Sequence, residues 1–232
     1  MRADGGGGAD GRSPALSAFL EALRAAAVEG AGPPNPARTV IERVTDALSA
    51  PGEPGTTPPA TLGPCALVEP IVDALATDDR PGASDPGARA AALACARAFA
   101  ALVPALPWWR RPSEGGPADP FARGHANATL VGPGGLEERG DVWIGASVLA
   151  PRVDYPAHRH PPEEAYLVLS PGQWWREGDG WHEPGPGGLV HNRPNVRHAM
   201  RSGEAPLLAL WCLWRGEGAG ATAPSPARPP SA

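Results

Sequence analysis

The sequence has no lysine, so all 20 of its basic residues are arginine. Set against 25 Asp and Glu, they leave a net charge of −5. No basic stripe forms, and nucleic acid is therefore not expected as a partner. No apolar run is long enough to cross a bilayer, so no membrane segment is expected either. The opening MRADGGGGADGR carries no apolar core and does not read as a secretory signal. Cysteine is scarce: Cys65, Cys95 and Cys212 are three widely spaced residues. An odd, scattered set gives neither a disulfide framework nor a zinc knuckle, and a reducing cytoplasm is the expected setting.

Glycine and proline are abundant, at 30 and 31 residues, but they concentrate in the ends and the loops. Residues 1–12 and 216–232 are expected to be disordered on that composition. Between them the hydrophobic period changes once. Over 13–104 apolar residues recur at helical spacing. Ser13-Pro14 opens a helix that Gly30 should end, and Asn35-Pro36 opens a second that Pro51 should stop. A third helix is expected over about 65–77, with Pro70 kinking it or marking its start. Asp85-Pro86 opens an Ala-rich fourth, running to about Val103. These helices are short and need a partner surface. From residue 105 to 215, after a long connection, the period becomes two. NATLVG, DVWIGASVLAPRVD, EAYLVLS, QWWREG, GWHEP, GLVHNRP, HAMRS and PLLALWCLW read as strands separated by Gly and Pro turns. The fold class expected is α+β: an N-terminal helical region packed on a C-terminal antiparallel β-barrel of the jelly-roll kind.

Chemistry concentrates between Tyr155 and Met200. In YPAHRHPPEEAYLVLS the residues His158, His160, Glu164 and Tyr166 all have even numbers, so an extended chain turns them to one face. His198 returns on a later strand. Three imidazoles and a carboxylate suit one divalent transition metal, with Fe2+, Zn2+, Mn2+, Co2+ and Ni2+ all compatible. Glu163, of opposite parity, should point outward. His191 matches no ligand position and reads as a supporting residue, whereas His125 and His182 have no evident partner. A cation beside the Tyr166 phenol would lower its pKa and let the phenolate act as a general base.

The spacing His-x-His-x3-Glu followed by a distant His resembles the two metal-binding motifs of the cupin superfamily. With the W-x-x-G-x-x-W hairpin, RPNVRHAM and PLLALWCLW, the stretch over about 143–214 resembles the cupin dimethylsulfoniopropionate (DMSP) lyases. Their tyrosine two residues after the metal-binding Glu corresponds to Tyr166, and the one before the first motif to Tyr155. The resemblance implies a cupin barrel, a bound divalent metal, and β-elimination of DMSP to dimethyl sulfide and acrylate, with Tyr155 orienting the substrate or acting as a secondary acid/base. It also implies that His158 is the loosest of the four ligands. The substrate is a small zwitterionic sulfonium, and indole faces attract such a cation. Trp143, Trp174, Trp175, Trp181, Trp211 and Trp214 are the candidates, one to three of them expected near the ligand. A homodimer is compatible with an exposed barrel edge. Two other readings stand beside the lyase: a cupin iron dioxygenase on a small substrate, which would consume oxygen, and a non-catalytic metal-binding cupin sensor.

Overall fold

A computed structural model describes residues 12–31, 34–77 and 85–216. Apart from Arg12 and Gly216, the two stretches expected to be disordered fall outside the described residues. Arg12 itself is buried: its guanidinium pairs with Glu137 and donates to the Leu48 carbonyl at 3.0 Å.

The helices follow their capping residues. Helix α1 (Pro14–Glu29) starts where the Ser13 side chain accepts the Leu16 N–H, and Gly30 returns its own N–H to the Ala26 carbonyl. Helix α2 (Pro36–Ala47) is capped by Asn35, whose side chain accepts from Ala37 and Arg38. Each such cap contributes about 1 kcal/mol. The short strand β1 (Glu53–Pro54) precedes a 3-10 turn at Gly63–Leu67, and α3 (Val68–Thr77) continues from it. Pro70 lies in the first turn of α3, where its missing N–H costs nothing and it breaks nothing. Helix α4 (Pro86–Ala100) is capped by Asp85.

Strand β2 (Trp108–Trp109) and the single-turn helix α5 (Pro120–Gly124) interrupt the long connection. Then come β3 (His125–Val131), β4 (Glu137–Glu138) and β5 (Val142–Leu149). Next are β6 (Asp154–His158), β7 (Glu163–Val168), β8 (Gln173–Arg176) and β9 (Gly180–His182). The last three are β10 (Leu189–Asn192), β11 (His198–Arg201) and β12 (Leu207–Trp214). DVWIGASVLAPRVD is thus not one strand. Pro151 cannot donate to a ladder, Arg152 turns the chain with φ +58°, and β5 and β6 enter different sheets.

One sheet runs β1-β4-β3-β5-β12-β7-β10, with β2 added beside β3; the other runs β6-β11-β8-β9. Most pairings are antiparallel, and the two sheets face each other as the jelly roll of a cupin. The central strands alternate between two cores. Ala165 and Leu167 of β7, with Leu208, Leu210 and Cys212 of β12, pack with Phe19, Leu23, Ile41 and Phe99 of the helices. Burying each of the larger side chains contributes about 1.5–3 kcal/mol. Helix α2 lies directly on β7, β10 and β12, so the helices cover the outer face of the large sheet. Tyr166 and Val168, with Leu207, Ala209, Trp211 and Leu213, face inward and meet Tyr155, Trp174 and Met200 from the small sheet. Among the described residues no helix is long and apolar enough to cross a membrane.

Candidate metal centre and active site

The two sheets bring the histidines together. His158 ends β6 and stands opposite His198, the first residue of β11. His160 lies two residues beyond β6, and its carbonyl accepts the Asn195 N–H at 2.9 Å, which ties the turn to the segment before β11. Ring centroids of His158 and His198 are 4.3 Å apart, and those of His160 and His198 are 5.0 Å apart. One ligand atom from each of the three lies within 4.8 Å of the others.

The hydrogen bonds fix which nitrogen points inward. Nδ1 of His158, His160 and His198 each faces a backbone carbonyl, at Pro156 (3.0 Å), Pro162 (3.1 Å) and Val196 (3.0 Å). A carbonyl only accepts, so each Nδ1 carries the proton and each Nε2 keeps its lone pair. This is the outer bonding that orients histidines toward a metal. Glu164 completes the group: its Oε2 is 3.4 Å from His160 Nε2 and 3.2 Å from His198 Nε2. His198 Nε2 is buried and makes no hydrogen bond of proper geometry. Lone pairs and a carboxylate converging on one buried point fit a divalent cation.

The charges agree. Burial raises the Glu164 carboxyl, but His160, His198 and the Asn192 amide outweigh it and hold it down at about 2. The Asn192 Nδ2 donates to Glu164 Oε2 at 2.8 Å, leaving the other carboxylate oxygen to the site. His158 is pushed down to about 3, first by burial and then by His198, so it is neutral at physiological pH. The His160 imidazole is lowered by burial, but Glu164 more than offsets this and the net shift is upward.

Tyr166 is buried beside this group, its hydroxyl facing the Glu164 carboxylate. Burial first, then the negative charge of Glu164, raise its pKa well above the ordinary phenol value. Tyr155 is buried on the opposite sheet, with its ring 4.9 Å from that of His158. The tryptophans divide. Trp174 and Trp211 belong to the inner core with both tyrosines, and Trp143 packs at its margin. Trp174 Nε1 and Trp143 Nε1 are buried without partners. Trp175, Trp181 and Trp214 lie outside this inner core. Trp175 neighbours Trp174 on β8 and turns to the other face, where it pairs with Trp181. The Arg201 guanidinium covers Trp181, and Arg43 covers Trp214 among the helices.

Residues absent from the motif also contribute. Besides Asn192, they are Arg111, Asn127 and His125, which surround Tyr155. Glu163 points outward as its parity requires: it meets Arg43 of α2 and accepts from His191 Nε2 at 2.8 Å. His182 is exposed on β9, across from Trp174.

Residues 37–209 match the profile of the dimethylsulfoniopropionate lyase family. The chain belongs to the DMSP lyase family. It is 30% identical over 162 residues to the DMSP lyase DddQ of Ruegeria pomeroyi, a match covering 68% of this chain and 73% of that protein. DddL of Cereibacter sphaeroides, whose name assigns it provisionally to the same lyase activity, is 30% identical over 133 residues; that match spans 57% of this chain and 55% of DddL. The crystal structure of Ruegeria pomeroyi DddQ superposes with a TM-score of 0.63 at 23% identity, covering 93% of this chain and 98% of that one. A second DMSP lyase structure, reported for RdDddP and RnDddQII, matches with a TM-score of 0.58 at 24% identity, covering 88% of this chain and 94% of that one. The helical cap on the jelly roll is therefore shared with DMSP lyases of known structure.

Proposed function

We propose that this protein is a metal-dependent lyase that cleaves DMSP to dimethyl sulfide and acrylate by β-elimination, with Tyr166 as the general base. The observation that carries the reading is the placement of the buried Tyr166 hydroxyl against Glu164, beside a three-histidine cluster, in a chain of the DMSP lyase family. His158, His160, His198 and Glu164 are the residues that would hold the metal.

The protein's own groups hold Tyr166 protonated, through burial and the Glu164 charge. A divalent cation, when bound, supplies the positive charge that brings the phenol's pKa down and makes a proton next to a carboxylate more acidic. Tyr166 then removes the α-proton of DMSP. The electron pair left on the α-carbon forms the double bond, and the bond from the β-carbon to sulfur breaks. Sulfur leaves with that bonding pair as neutral dimethyl sulfide, and acrylate keeps the carboxylate. The proton stays on the Tyr166 oxygen until it returns to water. Tyr155 lies on the facing sheet in the same inner core, beside His158, where it orients substrate. Trp174 and Trp211 offer indole faces to the sulfonium, each contact contributing about 0.5–2 kcal/mol.

The direct test is incubation of metal-loaded protein with DMSP while headspace dimethyl sulfide and dissolved acrylate are measured. Equal amounts of the two products, without oxygen uptake, are expected. Oxygen consumption without dimethyl sulfide would replace the lyase with the dioxygenase reading.

A further inference from the structure

Beside the His–Glu cluster lies a second polar group that the elimination chemistry leaves unexplained. Asn127 sits on β3, only 2% exposed, with its Oδ1 accepting the Ser147 hydroxyl at 2.7 Å. That bond fixes the amide, so Nδ2 is turned toward the Tyr155 hydroxyl. Nδ2 is buried and closes no hydrogen bond of its own. A buried amide donor without an acceptor is costly, at roughly the desolvation cost of the group, unless a ligand fills the gap.

Arg111 reaches the same place from solvent. Its backbone N–H donates to His125 Nε2 at 2.8 Å. His125 is fully buried, gives its Nδ1 proton to the Phe121 carbonyl, and stacks on the Phe121 ring at 3.8 Å. This clip holds the segment after β2 against α5 and aims the exposed Arg111 side chain inward. The Arg111 backbone is thereby held to the His125 ring, which lies 5.8 Å from that of Tyr155, and the Arg111 charge acts on the Tyr155 hydroxyl and on His158, His160 and Tyr166. Among the described residues it forms no ion pair with a carboxylate.

Guanidinium, amide nitrogen and phenolic hydroxyl all donate. A planar group that only accepts, with several lone pairs in one plane, answers such a set. We propose that Arg111, Asn127 and Tyr155 form the subsite for the substrate's carboxylate, with Arg111 as the residue that makes the site select an anion. This rests on the lyase reading only in naming DMSP as the owner of the carboxylate. One carboxylate oxygen on these donors leaves the other free toward the His–Glu cluster. The α-carbon then lies between Tyr155 and Tyr166, and the sulfonium end extends toward Trp174 and Trp211.

The test is calorimetric titration of metal-loaded, full-length protein with propionate and with its neutral isostere propionamide. Wild type should bind propionate about tenfold or more tightly than propionamide. Arg111→Gln should lose about tenfold or more of the propionate affinity, keep wild-type metal content and leave propionamide binding unchanged. Arg111→Lys, which keeps the charge but not the planar fork, should fall between the two. With DMSP, Arg111→Gln should raise KM more than it lowers kcat. Wild-type propionate affinity in Arg111→Gln would overturn the subsite, as would a wild type that does not prefer propionate. The two readings separate cleanly. Propionate binding through Arg111 without dimethyl sulfide release would sink the lyase and keep the subsite. Dimethyl sulfide release with Arg111→Gln binding propionate like wild type would do the reverse.

Discussion

On the outer face of β7, Glu163 meets His191 and Arg43. On its inner face, one residue later, Glu164 meets His160, His198 and Asn192. The residue types are nearly the same, yet the outcomes differ. Glu163 has an arginine, a permanent cation, as its partner, and its charge is satisfied within the protein. Among the described residues Glu164 pairs with no arginine; it meets the Nε2 atoms of His160 and His198, which can share a bound cation with it. A carboxylate–histidine contact therefore says little by itself. Nε2 faces the carboxylate on both sides, so it is the arginine closing the outer set that separates a structural pair from a candidate metal centre.

The sharpest way to break this comparison is to remove what the outer face rests on. Expressing residues 105–215 alone should give aggregated or unfolded protein. It would expose Ile144, Val148, Leu167, Leu208 and Leu210, all fully buried against the helical side. Circular dichroism and gel filtration check this; a soluble, active fragment would show that the inner face stands without the outer one.

The next largest effect belongs to the inner face. His160→Ala, His198→Ala and Glu164→Gln should each lose bound metal and dimethyl sulfide release together, because each removes one of few ligands. His158→Ala should lose less metal than the other three. Elemental analysis of the purified variants reads this directly, and full occupancy in His198→Ala would remove the assignment.

The smallest effect belongs to the outer pair. Glu163→Gln should keep its metal and lose only about 0–1 kcal/mol of stability, since the pair is partly solvent-exposed. The sign with pH follows from the pKa. Burial raises the Glu163 carboxyl, but His191 and Arg43 more than offset this and depress it. A depressed carboxyl contributes stability above its unfolded value of about 4.3, which is lost as pH falls through the lower folded pKa. Thermal denaturation of wild type and Glu163→Gln should therefore differ near neutral pH and converge in acid. An equal gap at both pH values would contradict the pairing.

Much of this contrast was legible in the sequence, since a period of two separates Glu163 from Glu164 without any structure. The caps at Ser13, Asn35 and Asp85 and the run of short strands were equally local signals. The same parity argument, applied to Trp174 and Trp175, would have sent them to opposite faces. Trp214, three residues from Trp211 on the same strand, takes the opposite face for the same reason. Arg111, Asn127 and Asn192 could not be found in the motif, because pairings between distant strands bring them in. Asn127 lies on β3, the first long strand of the barrel, and Tyr155 on the opposite sheet. An arginine and two asparagines in loops and strands carry no spacing that marks them.

The most direct test of the central claim is the rate of dimethyl sulfide release by Tyr166→Phe, measured beside wild type at matched metal content. The substitution removes one oxygen and leaves every ligand in place. A general base contributes about 10²–10⁴-fold, so kcat should fall by at least that range while metal content and KM change little. Wild-type turnover by fully metal-loaded Tyr166→Phe would contradict the account and move the role of base to Tyr155 or to another group.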